Sequence, residues 1–284
     1  MNTWLLIDSN YLCYRARWAM GDLVWQGRPT GIIYGFLQTI LQLQRQFNTS
    51  NIAFCFDSRH SKRRDMYPPY KAHRKNRQPM TEQEKLWERE FHKQIALLRT
   101  SYLPQIGFNN VFIQKGYESD DLLAKLAATI ENADVAIITA DEDLFQCIRK
   151  NVFIYNPNKK TYMTYQRFCK TYELVPEQWT TVKSIAGCST DNIKGLQGIG
   201  EKTVIKYLCS VLKESSKAFQ TITKSEYEIR KQNLSLVQLP LAGTKPMTLQ
   251  SDNISKAGWH SVCRKLGFKS LIDNVPGRSK HAHR

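Results

Sequence analysis

The sequence predicts an α/β fold in which a parallel β-sheet is flanked by helices. Short runs rich in branched and aromatic residues alternate with helical patterns through the first half of the chain, as βαβ units do. The clearest runs, TWLLID (3–8), NIAFCFD (51–57) and DVAIITAD (134–141), have the length of buried strands and each ends in aspartate: Asp8, Asp57 and Asp141.

The helical patterns fall between them. Residues 30–48 form the first. Residues 82–103 place Trp87, Phe91, Ile95, Leu98 and Tyr102 on one stripe, and 119–131 do the same with Leu123, Leu126, Ala127 and Ile130. Further on, EQWTTVKSIAG and EKTVIKYLCSVLK both read as helices, the second with Val204, Tyr207, Leu208, Val211 and Leu212 on one face. The chain of 284 residues has room for one large domain or two modest ones.

In open α/β sheets the carboxyl ends of parallel strands lie along one edge, where ligands bind. One aspartate there can be a helix cap or a turn residue; three strands sharing the ending, joined by Glu118, Asp120 and Asp121 in GYESDDLLAKLA and by Asp143 in ITADEDLFQ, exceed what capping requires. Crowded carboxylates raise one another's pKa unless a cation offsets them. Carboxylate and water ligands without histidine or cysteine point to Mg²⁺ or Mn²⁺ rather than zinc.

Charge and cysteine content narrow the partners. With 41 Lys+Arg against 25 Asp+Glu the formal balance is +16, which attracts a polyanion. The longest apolar runs fall short of the ~20 residues of a spanning helix, and Asp8 interrupts the first of them, so neither membrane insertion nor a secretory signal is expected. The seven cysteines are scattered without a C-x-x-C pair, which argues against a disulfide framework or a zinc knuckle and for a reducing cytosol.

Two segments fit a nucleic acid. Residues 59–77, RHSKRRDMYPPYKAHRKNR, hold eight Lys/Arg, Arg63 and Lys75 among them, and one acid, with Tyr67 and Tyr70 interleaved. A basic run is often a solvated loop, but this one starts two residues after Asp57, and its aromatics offer faces on which bases stack. The second, GCSTDNIKGLQGIGEKT (187–203), brings Gly195, Gly198 and Gly200 together before a helix, with Lys202 and Lys206 nearby. Its G-x-x-G-x-G order is neither a dinucleotide fingerprint nor a P-loop. A helix–turn–helix of this kind presents amides and ammonium groups to a phosphodiester backbone, positioning duplex without reading sequence.

GYESDDLLAKLA, ITADEDLFQ, YPPYKAHRK and GCSTDNIKGLQGIGEKT, in this order and spacing and together with RKQNLSLVQLP (230–240), resemble the 5′-3′ exonuclease and flap endonuclease family, stand-alone phage and bacterial members in particular. The resemblance covers about residues 3–240. It implies a PIN-like nuclease domain over 1–170 with a helical arch at about 58–80, and a duplex-binding region of helix-hairpin-helix (H3TH) type over 171–284. Carried over by motif, Asp8, Asp57, Glu118 and Asp120, with Asp121 beside them, are the first metal group, and Asp141, Asp143 and Asp191 the second. Tyr70, Lys71 and Arg74 fall in the arch motif Y-K-x-x-R, with Lys71 nearest the reacting phosphate. The implied reaction is hydrolysis of 5′ flaps and 5′ ends of DNA by a monomer using two Mg²⁺ ions roughly 4 Å apart, with Mn²⁺ able to substitute, leaving a 5′ phosphate and a 3′ hydroxyl.

One departure stands out. The family's G-D-x-x-D-N reads Gly187-Cys188-Ser189-Thr190-Asp191-Asn192 here, so its first acid is a cysteine. A thiol is a weak partner for Mg²⁺, which predicts a weakened second site and keeps open a DNA binder with reduced or lost catalysis. A PIN-type ribonuclease accounts for the acids but gives the basic segment and the glycine turn no role.

Overall fold

The computed structural model describes residues 2–74 and 80–277. In chain order the elements of the first half are β1 (Thr3–Asp8), α1 (Ser9–Met20), the short pair β2 (Val24–Trp25) and β3 (Arg28–Pro29), α2 (Gly31–Phe47), β4 (Ile52–Cys55), α3 (Lys62–Met66), α4 (Glu82–Leu97), α5 (Leu103–Ile106), β5 (Val111–Phe112), α6 (Ser119–Thr129) and β6 (Asp134–Ile138). They are followed by β7 (Val152–Asn156), β8 (Thr161–Met163), α7 (Tyr165–Tyr172), α8 (Trp179–Ala186), β9 (Gly187–Cys188), β10 (Ile193–Lys194), α9 (Glu201–Leu208), α10 (Lys217–Val237) and α11 (Lys256–Leu266).

The predicted sheet is present, with six strands in the order β5-β4-β1-β6-β7-β8. All neighbours are parallel except β8, which returns antiparallel along β7. Its central strands read as unbroken apolar runs because both faces are covered. Leu5, Ile7, Ile52, Phe54, Ala136 and Ile138 point into one core with α1, α2, α4, α5 and α11. Leu6, Ala53, Cys55, Val135 and Ile137 point into the other, with α6, α7, α8, α9 and α10.

Local chemistry sets the helix boundaries. Asp8 accepts from the Tyr11 amide at 3.1 Å and starts α1, and Thr81 and Glu84 form a reciprocal capping box at the start of α4. The stripe over 82–103 is divided: α4 runs through a π-helical turn at Leu98–Tyr102 into α5. Phe91, Ile95, Leu98 and Tyr102 are buried, whereas Trp87 is 59% exposed, as residues 82–87 at the start of α4 all are. This exposed helix begins past the 58–80 segment expected to form an arch. Within that segment the described residues form only α3 and a 3₁₀ turn at Ala72–Arg74, and Lys75 lies outside the described residues.

The resemblance ends near residue 240, and α11 beyond it is a core helix rather than part of a duplex-binding region. Ser255 caps it, and Trp259, Val262, Cys263 and Leu266 recur at helical spacing and are buried against the face that holds α2 and α5. The face read for α9 is shorter than expected: Val204 is buried, but the helix stops at Leu208 and Val211 is 64% exposed.

Candidate functional site

The acids at the carboxyl edge converge. Asp8 closes β1, while Asp57 and Asp141 lie just past β4 and β6. Asp8 is buried and holds three donors, the Tyr11 amide, Ser119 Oγ at 3.3 Å and Thr139 Oγ1 at 2.9 Å. Asp57 accepts from the Ser119 amide at 2.7 Å. Asp141 accepts from the Asp143 amide at 2.8 Å and caps a 3₁₀ turn. Capping is therefore real at Asp8 and Asp141, but it occupies only part of each carboxylate.

Burial pushes the Asp8 carboxyl up to about 7, with the Asp57 charge adding to it. Burial and Asp143 push Asp141 up to about 6. Asp120, on the first turn of α6, is driven well above the carboxylate range by burial and then by Asp141 and Asp8, and no hydrogen bond offsets this. A half-buried carboxylate without a donor, facing two other acids, fits a site completed by a cation; the all-oxygen donor set suits Mg²⁺ or Mn²⁺.

Glu118 differs. Burial alone would raise its carboxyl, but Lys71, whose Nζ lies 2.7 Å from Oε2, holds it below the usual range. The Tyr70 hydroxyl lies 2.9 Å from the same Oε2 and 3.1 Å from Asp191 Oδ2, so its single proton bridges or selects between the two carboxylates. Arg74 reaches Asp191 Oδ1 at 3.0 Å, and Lys71 lies 3.6 Å from it. Lys71 adopts a left-handed backbone at φ +53° with its amide bonded to the Asp191 carbonyl. This conformation is uncommon for a side-chain-bearing residue, and it aims the ammonium inward.

The second group is the tightest. Among the described residues one set of three potential ligands has its donor atoms mutually within 4.8 Å: Asp143, Cys188 and Asp191. Cys188 sits on β9, paired with Ile193 on β10, and its thiol is pushed up to about 11, chiefly by burial and by Asp143. Asp143 is also bonded to Lys183 at 2.8 Å.

Three expected roles are corrected by these contacts. Arg63 does not face a ligand: it is 2% exposed, forks both nitrogens onto Asp121 at 2.7 and 2.8 Å and donates to the Leu236 carbonyl. Asp121 is likewise turned away from the other acids, fully buried, and accepts the Leu241 and Glu118 amides. Both are satisfied structural groups joining α3, α6 and the end of α10. Tyr70 is 2% exposed with Cys188, Ile193 and Leu236 around it, so its ring offers no stacking face. Gly195 in addition packs against α8: a Cβ there would lie 2.1 Å from the Ala186 carbonyl, so the close backbone approach by itself requires a glycine.

The rest of the glycine turn is open. Gly198, at φ +74°, and Gly200, which caps α9, are exposed with no atom near a would-be Cβ, and Lys202 and Lys206 are exposed beside them.

Sequence reading missed Lys183. Its ammonium is buried on α8 between Asp143 and Glu201, the latter at 2.7 Å on the first turn of α9. The available signal was a lysine among Trp179, Val182 and Ile185 on an otherwise uncharged helix. Ser119 and Thr139, which orient Asp8 and Asp57, carried no such signal.

Known proteins match this chain along most of its length. It is 33% identical to a 5′-3′ exonuclease of Mycoplasmopsis pulmonis over 77% of this chain and 69% of that protein. It is 34% identical to the thermostable DNA polymerase I of Thermus thermophilus over 72% of this chain but only 23% of the polymerase, so it spans about a quarter of those longer relatives. In three dimensions it resembles a bacteriophage T5 flap endonuclease in complex with DNA and metal ions, with TM-score 0.69 and 20% identity over 96% of this chain and 98% of that one. The family described as "5′-3′ exonuclease, N-terminal resolvase-like domain" matches residues 3–173, and the chain belongs to that family.

Proposed function

We propose that this chain is a metal-dependent, structure-specific 5′ nuclease that hydrolyses phosphodiester bonds at 5′ flaps and 5′ ends of DNA. One observation carries the reading: Asp8, Asp57, Asp120 and Asp141 crowd one sheet edge without an ion pair of their own among the described residues, with Lys71 near and with Lys183 linking Asp143 to the first turn of α9. Asp8, Asp57, Glu118 and Asp120 would hold one Mg²⁺, and Asp143 and Asp191 a second, with Asp141 at the boundary and Mn²⁺ able to substitute. When bound, such ions acidify an attacking water and stabilise the departing 3′ oxygen of an in-line displacement.

The chain's own residues supply the remainder. Lys71, now between Glu118 and Asp191, is the cation placed to offset charge on the phosphate. Gly198, Gly200, Lys202 and Lys206, in an H3TH-type arrangement of α8, the β9–β10 turn and α9, hold the duplex by its backbone. Lys183 ties that grip to Asp143 through Glu201, which fixes the distance between held duplex and scissile bond. In this reading residues 1–170 carry most of the chemistry, joined by Cys188 and Asp191 from beyond 171, while α8 and α9 carry the grip and α11 belongs to the core under the sheet.

Cys188 favours a second reading, a structure-selective DNA binder with weak hydrolysis. A 5′-flap cleavage assay with Mg²⁺, Mn²⁺ and chelator separates the two. Metal-dependent release of the flap supports the nuclease; binding without release under every ion supports the binder, and faster cleavage of RNA than DNA flaps contradicts the substrate class.

A further inference from the structure

We propose that Asp143, Cys188 and Asp191 form a thiophilic cation site, taking a divalent ion that accepts sulfur, such as Co²⁺, Zn²⁺ or Cd²⁺, in preference to Mg²⁺. The inference rests on the reading of this group as a metal position and deepens it. The donor atoms already lie within 4.8 Å of one another. Cys188 is 7% exposed, and its backbone is fixed by pairing with Ile193, so the sulfur is held in place. Asp143 Oδ2 lies 3.8 Å from Sγ, while Oδ1 is engaged by Lys183.

Charge decides which ion this donor set prefers. Three cations already stand on its two carboxylates: Lys183 on Asp143, and Lys71 and Arg74 on Asp191. A hard ion such as Mg²⁺ is held by oxygen donors and net negative charge, and here much of that charge is offset. What the cluster retains is sulfur, a soft donor that favours softer ions. Binding forms one sulfur–metal bond and releases the thiol proton to solvent, so the thiolate supplies the anionic ligand that an aspartate would otherwise provide. Thr190 Oγ1, 3.0 Å from Sγ, remains as a hydrogen-bond partner of the sulfur.

The experiment titrates the full chain, stripped with chelator, with Co²⁺ or Cd²⁺ in the absence of DNA and reads sulfur-to-metal charge-transfer absorption. The wild type should show a saturable band that excess Mg²⁺ does not remove. Cys188→Ser should lose the band although six other cysteines remain, and Asp143→Asn should weaken the titration by about tenfold or more. In the unmodified protein, alkylation of Cys188 followed by mass spectrometry should be slowed by Zn²⁺ and not by Mg²⁺, a readout that needs no variant. No band, a band retained in Cys188→Ser, or equal protection by both ions overturns the proposal. Flap cleavage in Mg²⁺ is scored separately: cleavage without a band removes this inference alone, whereas a band without cleavage under any ion removes the nuclease reading and leaves the site.

Discussion

Two groups of acids lie side by side in this molecule and are stabilised in opposite ways. At the sheet edge, Asp8, Asp120 and Asp141 face one another with only neutral donors or none, and their carboxyls are pushed upward, chiefly by burial and by one another. Around α3, the Ala72–Arg74 turn and the β9–β10 hairpin these acids each have a cation: Asp121 has Arg63, Glu118 has Lys71, Asp191 has Arg74, and Asp143 has Lys183. The first group has no internal cation among the described residues and awaits one from outside, whereas in the second internal cations offset part of the charge, although burial still pushes Asp191 upward. Neighbours in sequence fall on opposite sides of this division, Asp120 in one and Asp121 in the other, because successive residues on a helix point in different directions.

The largest effect should come from breaking a completed pair. Arg63→Ala leaves the buried Asp121 charge without its partner and should destabilise the protein by about 3–5 kcal/mol, measured by denaturant unfolding. The salt dependence of DNA binding by the folded fraction should not change. A stable variant with a shallower salt slope would return Arg63 to the DNA surface.

Asp120→Asn tests the open group. Cleavage of a 5′ flap should fall by about 10²–10³-fold, the loss seen when one preorganised electrostatic contact is removed, while duplex binding persists. Normal cleavage by this variant would remove Asp120 from the metal group.

Smaller, and opposite in sign, is the stability effect at the same edge. Carboxyls with folded pKa values raised to about 7 and about 6 bind more protons folded than unfolded. The metal-free protein is therefore least burdened below about pH 4 and loses stability as pH rises from there to about 7. Thermal melts in chelator should show this fall as the edge's own contribution, Mg²⁺ should reverse it, and Asp120→Asn should raise the metal-free melting temperature at pH 8 by about 2–4 °C for each ~1 kcal/mol relieved. A melting temperature lowered by Asp120→Asn at pH 8 without metal would contradict the uncompensated state of this edge.

The smallest effect belongs to the grip. Lys202→Ala should weaken duplex binding and reduce the salt slope by about 0.9, with little change in single-turnover cleavage at saturating enzyme; Lys71→Ala should do the reverse. Equal effects of both on both quantities would erase the distinction between chemistry and grip.

What the sequence determined by itself is the part governed by periodicity and local chemistry. Strands buried on both faces read as apolar runs, aspartates at their ends mark one edge whatever surrounds them, and glycines before a helix announce a turn, so the sheet, the acids of its edge and the α8–α9 turn were legible. Tertiary structure alone decided how each polar side chain is paired. Sequence gave no sign that Arg63 would meet Asp121 or that Lys183 would bridge Asp143 and Glu201, since these partners lie 58, 40 and 18 positions apart. It also could not show that Tyr70 turns its ring into a buried cluster, that Gly195 serves packing, or that α11 closes the core beside α2, because burial depends on what the rest of the chain places over a residue. A charge or an aromatic ring is the same in the sequence whether it meets a ligand or an internal partner, and only the fold determines which one comes within hydrogen-bonding distance.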